Sequence, residues 1–246
     1  MTLNQFMKLV GRRAGIEISR YRPYAARRMQ LLRENRIATV IDVGANTGGY
    51  GSELRAFGYT GRIVSLEPLA SPFAELVRRA EPDPNWQCLN IAAGERDDKS
   101  IINIASESAS SSLLPMRAEH GLGAPATFYT GQESICLRRL DSLDLALTSP
   151  TMLKVDTQGY EEQVVTGAPM TLSKVALLEC ELSLAYLYDG QPGFRSMIDL
   201  AAEFGFELID IDPFFRDRAT GRVLSMDAIF VRGAGSADAI GQTPAS

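Results

Sequence analysis

Residues Thr39 to Tyr50, TVIDVGANTGGY, constrain this chain more than any other stretch. A short apolar run, Val40, Ile41 and Val43, ends in a glycine-rich turn at Gly44, Gly48 and Gly49. A β-branched run of that length suits a buried parallel strand. Glycines let the backbone turn sharply and approach a ligand closely. The residues from Tyr50 to Gly58 can open a helix, whose N-terminus favours negative charge. Strand, glycine turn and helix form the first unit of a nucleotide-type site, although similar turns occur in α/β proteins that bind nothing there.

A second segment adds to the first. Arg62 to Pro68 reads RIVSLEP, another short apolar strand that ends in Glu67. An acidic residue at the end of a second strand, about 20 residues past the glycine turn, suits the two hydroxyls of a ribose. The alternative reading of Glu67 is a solvated loop carboxylate.

The alternation then continues. Strands are expected at 39–43, 62–67, 86–91, 151–156, 174–181, 206–211 and 226–232, with helices at 49–57, 71–80, 160–167 and 193–204. This order predicts an α/β fold, a mostly parallel sheet with helices on both faces. Residues 212–225 are too polar and turn-rich for a crossover helix, so the final strand pair is expected to be antiparallel. Two further short strands, 99–105 and 133–138, flank a small, polar, glycine-rich loop of the kind that forms lids or binding loops. Residues 1–37 are expected to form a helical extension in two pieces, broken near Gly15 and Pro23, with a domain at 38–232 and a disordered tail at 233–246.

A length of 246 residues fits one such domain with an N-terminal appendage. Residues 1–38 carry nine Lys or Arg and two Asp or Glu, a charge of +7, which leaves −12 for the rest of a chain whose total is −5. An acidic body argues against a broad nucleic-acid surface. The basic arm suits a membrane surface, self-association, an anionic acceptor or a solvated helical cap on the sheet. No run approaches the ~20 apolar residues of a membrane span, and the N-terminus lacks a secretory signal pattern. Cys88, Cys136 and Cys180 are odd in number and widely spaced, so buried free thiols in a reducing cytoplasm are expected.

Gly44, Ala45, Asn46, Thr47 and Gly48 depart from the dinucleotide pattern, because Asn46 stands where a second glycine would admit a pyrophosphate. Asp42, just before the turn, is poorly suited to phosphate and suited to an ammonium group. S-adenosyl methionine, with an ammonium, a ribose diol and no phosphate, fits these residues better than NAD. VIDVGANTGGY, VSLEP, RRLDSL and above all LKVDTQGYEEQVVTGA resemble the FkbM family of S-adenosyl methionine-dependent methyltransferases. The resemblance covers roughly residues 38 to 232. It implies the Rossmann-like class I methyltransferase sheet of seven strands, order 3-2-1-4-5-7-6, with strand 7 antiparallel. It also implies O-methylation, usually on a sugar, glycoconjugate or polyketide-type natural product. By position, Asp42, Gly44, Asn46 and Gly48 would line the methionine and ribose end of the cofactor, Glu67 the ribose hydroxyls, and Asn90, Ile91 and Ala92 the adenine. Ser110 to Leu113 would approach the cofactor or the small-molecule or glycan acceptor. Alternatives are an N-methyltransferase, a dinucleotide or nucleotide-sugar oxidoreductase, and an inert adenosyl-binding protein acting through its basic arm.

Asp156 closes the fourth strand, where methyltransferases of this fold place groups near the transferred methyl. Aligning an acceptor oxygen with an electrophilic carbon is the main task, and a nearby base helps as the hydroxyl loses its proton. Glu179 and Glu181 point one way from the fifth strand and Cys180 the other. Asp156 and Glu181 would serve as base and acceptor-binding group, or would hold Mg²⁺ through few carboxylates and several waters, as in catechol-type O-methyltransferases, whose adjacent Asp-Asn pair this chain lacks. Glu161 has a structural alternative at a helix N-terminus, and Glu179 another as a buried partner of Lys154 or Lys174. His120, the only histidine, is a further candidate base, with a surface position as its alternative. Tyr186, Tyr188 and Phe194 would wall the acceptor pocket or fill core, and Trp86 is expected to pack.

Overall fold

The computed structural model describes residues 23–233. The expected break near Gly15 and the tail beyond residue 233 lie outside the described residues. The chain runs α1 (Tyr24–Glu34), β1 (Thr39–Val43), α2 (Gly49–Ala56), β2 (Arg62–Leu66), α3 (Ala70–Ala80), β3 (Trp86–Leu89), β4 (Ala92–Ala93), β5 (Asp98–Ala105), α4 (His120–Gly123) and β6 (Tyr129–Arg138). It continues β7 (Thr151–Val155), α5 (Glu161–Thr166), α6 (Pro169–Leu172), β8 (Val175–Ser183), α7 (Phe194–Glu203), β9 (Phe206–Arg216) and β10 (Val223–Arg232). The main sheet has seven strands in the order β3-β2-β1-β7-β8-β10-β9, the implied order, and β10 is antiparallel to both neighbours. A second sheet, β4-β6-β5, is built largely from the two extra strands.

Some boundaries differ from expectation. The helix expected at 160–167 stops at Thr166, and Pro169 opens a separate turn, α6, because proline is at home in a first helical turn. The last two strands are long, reaching Arg216 and starting at Val223, so the polar segment between them shrinks to a hairpin loop. The loop at 106–131 carries a 3₁₀ turn at Ser108–Ser110, the short helix α4 and the start of β6. Cys136 is exposed on β6, contrary to the expectation of buried thiols, while Cys180 is buried.

The two-residue period of a strand sends alternate side chains to opposite faces. Ile41, Val43, Val64, Leu66, Leu153, Val155 and Leu178 pack toward α5–α7 and the second sheet. Val40, Ile63, Met152, Leu177 and Ile229 pack with α1, α2 and α3. On that second face the next residue toward the C-terminal end of β1, β2, β7 and β8 is polar: Asp42, Ser65, Lys154 and Glu179. These four stand in direct register across adjacent strands, Ser65 opposite Asp42, Asp42 opposite Lys154 and Lys154 opposite Glu179. A polar row therefore crosses the sheet where an apolar one ends. Trp86 packs beneath it, its indole N–H donating to Ser65 Oγ at 3.0 Å.

Helix α1 caps this row. Arg28, 4% exposed, donates to Glu179 Oε1 at 2.9 Å and also pairs with Glu53. Its guanidinium lies 4.4 Å from the centre of the Tyr50 ring. Arg27 pairs with Asp210 on β9 at 2.6 Å. Arg27 and Arg28 thus dock the helix on the sheet, and Glu179 pairs with Arg28, not with the lysines expected. Taking away one partner of a buried pair leaves an uncompensated charge, worth about 3–5 kcal/mol. Arg28→Ala should lower unfolding free energy on that scale in urea titration, with an unchanged slope; a loss under about 1 kcal/mol would mean that α1 is not held this way.

Candidate active site

The C-terminal ends of β1, β2 and β7 and the loops after them line a cavity, the concave kind of site that takes a small molecule. Gly44 turns the chain out of β1 with φ +81°, and a Cβ there would sit 1.8 Å from the Asp156 carbonyl oxygen. Only glycine permits that approach of loop to strand. Asn46 follows in the left-handed region at φ 46°, which asparagine tolerates better than most residues. Its backbone N–H donates to Glu67 Oε2 at 2.8 Å, and its side-chain amide bonds to Ser108 Oγ at 3.0 Å. The other Glu67 oxygen accepts the Leu69 N–H at 2.8 Å. One carboxylate therefore fixes the loops after β1 and β2, and each oxygen retains a lone pair for a ligand. Burial pushes Glu67 up to about 7, against the pull of these two amides.

The rest of this inner cavity is apolar, with Leu69, Ile91, Ala92, Ala93, Ile102 and Leu113 around it, and Asp156, Gln158 and Tyr160 at its other end. No Lys, Arg or His lines it. A carboxylate for a diol, a flat apolar slot for a purine and no cation for a phosphate fit S-adenosyl methionine and not a pyrophosphate cofactor.

A second, more open cavity adjoins it, sharing Gly44, Asn46, Ser108, Ala109 and Asp156. Its wall adds Arg28, Tyr50, Glu53, Lys154, Glu179 and Asp227. Lys154 Nζ is 3.1 Å from Asp156 Oδ2 and 3.6 Å from Asp42 Oδ1. Burial opposes its charge, but Asp156, Asp42 and Asp227 outweigh that and hold its pKa above the usual lysine value. Gln158 Nε2 donates to Asp156 Oδ1 at 2.8 Å, and Tyr188 Oη fixes Gln158 from behind at 2.8 Å. Asp156 is thereby oriented at the junction of the two cavities.

The site gathers Gly44, Asn46, Glu67, Ile91, Ala92 and Asp156 as expected, with Ser108, Ser111 and Leu113 of the serine-leucine segment. Five expectations are corrected. Asp42 is fully buried in the strand below the cavities, bound to Lys154 and Ser65. Gly48 lines neither cavity, and a Cβ there would meet Leu76 and Trp86. Asn90 is exposed, its amide donating to the carbonyls of Glu67 and Pro68, so it braces the loop from outside. His120 lines neither cavity; it is buried between Tyr188 and Phe215, and burial lowers its pKa, so it is neither a surface residue nor placed as a base. Glu181 also stands outside both cavities, its pKa raised by burial and by Asp156, and Glu179 takes the place expected for it.

The Mg²⁺ set fails with Glu181. Among the described residues no three His, Cys, Asp or Glu side chains converge as metal ligands, and the Lys154 ammonium holds the position beside Asp156 that a cation would take. Glu161 is structural: its carboxylate accepts the N–H groups of Thr157 and Gly159. Of the aromatic residues, Tyr186 is exposed and Tyr188 is core. Sequence reasoning did not assign Arg28, Tyr50, Lys154 and Asp227 to the site. The polar residue two positions beyond each apolar one at the strand ends was the available signal for Lys154.

A family model described as "Methyltransferase FkbM domain" matches residues 42–208. A curated relative, the 2-O-methyltransferase NoeI of Sinorhizobium fredii, is 24% identical over 173 residues, 67% of this chain and 71% of that protein. The crystal structure of Methyltransferase FkbM from Methylobacillus flagellatus superposes with a TM-score of 0.51 at 19% identity, covering 84% of this chain. This chain spans about half of that one, 48%.

With Glu67 at about 7, only its ionised form can accept both ribose hydroxyls. Protonation below that value removes an acceptor, so S-adenosyl homocysteine should bind about tenfold more weakly one pH unit below the pKa and reach a plateau above pH 8. Glu67→Gln should cost about 1.5–3 kcal/mol of affinity and flatten the profile. Calorimetry from pH 6 to 8.5, with circular dichroism as the folding control, checks both; a pH-independent wild type would remove Glu67 from the ribose.

Proposed function

Since the chain belongs to the FkbM methyltransferase family, we propose that it methylates a hydroxyl oxygen of a sugar, glycoconjugate or polyketide-type acceptor. The observation that carries this reading is the junction at Asp156. The apolar, cation-free inner cavity suits S-adenosyl methionine, and the polar outer cavity opens from the same carboxylate. The similarity to a 2-O-methyltransferase supports oxygen as the accepting atom.

S-adenosyl methionine supplies a methyl carbon that is already electrophilic. The chain's task is to bring an oxygen into line with it, and orientation of this kind can contribute several kcal/mol. Glu67 and Asn46 fix the nucleoside end. Asp156, held by Lys154 and Gln158, would accept the hydrogen bond of the incoming hydroxyl and take its proton as the oxygen–carbon bond forms and the carbon–sulfur bond breaks, with S-adenosyl homocysteine as the leaving group. Lys154 keeps that carboxylate aimed.

The expected reaction is radiolabelled methyl transfer from S-adenosyl methionine to one of a panel of methyl glycosides and macrolactone alcohols. On the acceptor so found, Asp156→Asn should lower kcat by about 10²–10⁴, the range for losing acid–base help. S-adenosyl homocysteine affinity should stay within a few-fold, and EDTA should leave the wild-type rate unchanged. A rate near wild type in the variant would move the proton acceptor elsewhere; loss to chelator with rescue by Mg²⁺ would restore the metal.

A further inference from the structure

The inner cavity is lined wholly by residues between Val43 and Tyr160, inside the family-matched segment 42–208. The outer cavity is not: it recruits Arg28 from α1 and Asp227 from β10, one on each side of that segment. Its charges are unevenly matched. Five carboxylates line it, Glu53, Glu107, Asp156, Glu179 and Asp227, against two cations, Arg28 and Lys154. Arg28 is shared between Glu53 and Glu179. Lys154 is shared between Asp42 and Asp156. No cation is left for Glu107 or Asp227.

Glu107 is exposed and solvated. Asp227 is half-buried and, among the described residues, takes part in no hydrogen bond or ion pair. Its neighbours across the sheet are carboxylates, Glu181 on β8 and Asp212 on β9. Burial, Glu179 and Asp156 push it up to about 8, against the smaller pull of Lys154 and Arg28. At pH 7 that leaves it mostly protonated, and a cation placed beside it would bring it to its ionised form.

We propose that the outer cavity takes an acceptor bearing a protonated amine beside its hydroxyls, an amine-bearing sugar or polyol, and that Asp227 receives the amine. This rests on the methyltransferase reading of the site. Hydroxyls alone would fill the cavity without compensating Asp227, and a phosphate, sulfate or carboxylate group would find every cation on the wall already taken. The specificity residue comes from outside the family-matched segment, so relatives that share the inner cavity need not share this preference.

The test uses the full chain saturated with S-adenosyl homocysteine at pH 7 and three probes: methyl glucosaminide, methyl glucoside and methyl glucuronide. Binding is read by calorimetry or saturation-transfer NMR. The glucosaminide should bind at least tenfold tighter than the glucoside, and the glucuronide more weakly than either. Asp227→Asn should abolish the preference, so that the glucosaminide and the glucoside bind alike; Asp227→Glu should keep it. A glucoside that binds as well as the glucosaminide overturns the proposal. So does an Asn variant that weakens both equally, or an S-adenosyl homocysteine complex that binds none of the three. If S-adenosyl homocysteine itself fails to bind the wild type, the methyltransferase reading falls and this inference with it.

Discussion

The ammonium of Lys154 sits at the centre of everything the strand ends do. It is nearly buried, 10% exposed at the side chain, and lies between Asp42 below and Asp156 at the surface of the cavity. A buried ammonium is costly unless carboxylates surround it, and a buried carboxylate is costly unless it has a cation. Each therefore requires the other. Asp42 would be stranded without Lys154, one of its oxygens having no hydrogen-bond donor at all. Asp156 would lose the donor that aims one of its oxygens. The polar row Ser65, Asp42, Lys154 and Glu179 makes this arrangement possible by ending the apolar face of four strands at one level. A one-residue slip in any of these strands would send its polar member to the other face, so the register of the sheet and the electrostatics of the site are one constraint.

That row also explains why the N-terminal helix belongs to the fold. Glu179 is the end of the row and is 2% exposed at the side chain. Its cation comes from Arg28, which arrives from a helix before β1 and stacks over Tyr50 of α2. The same residues form a wall of the outer cavity. Helix α1 thus contributes to stability and to the site through the same guanidinium. Of the described basic residues of the arm, which by sequence alone suits a membrane or an acidic partner, Arg27 and Arg28 are paired with the sheet's own carboxylates.

The strand order, the antiparallel end of the sheet and the inner cavity were legible because each has a local signal. Gly44 has a turn to make, Glu67 ends a strand, and the LKVDTQGYE block carries a family resemblance. What was not legible depends on contacts between residues far apart in sequence. Arg28 and Glu179 are 151 residues apart. Asp42 was expected at the methionine end because it precedes the turn, but strand alternation points it to the face below. His120 looked mobile among glycines; the aromatic rings of Tyr188 and Phe215 that bury it come from distant segments. Choosing between Glu179 and Glu181 by sequence was not possible, since both point the same way, and only the depth at which the strand meets the cavity separates them.

The two cavities divide the work in a way that the chemistry favours. A sulfonium methyl needs little activation, so the nucleoside end calls for fixed geometry, and the inner cavity supplies it with backbone turns and one carboxylate pinned by two amides. The acceptor end calls for discrimination among hydroxylated molecules that differ mainly in charge and position. There the wall is built of side chains from both ends of the domain. Asp156 is held on both oxygens, one by Lys154 and one by Gln158, and so offers a fixed direction. Asp227, among the described residues, accepts no hydrogen bond and so is left to answer a cation. A fixed carboxylate can set where an acceptor oxygen lies, and an unheld one can set which acceptors are worth binding. Separating those tasks lets the second change without disturbing the first.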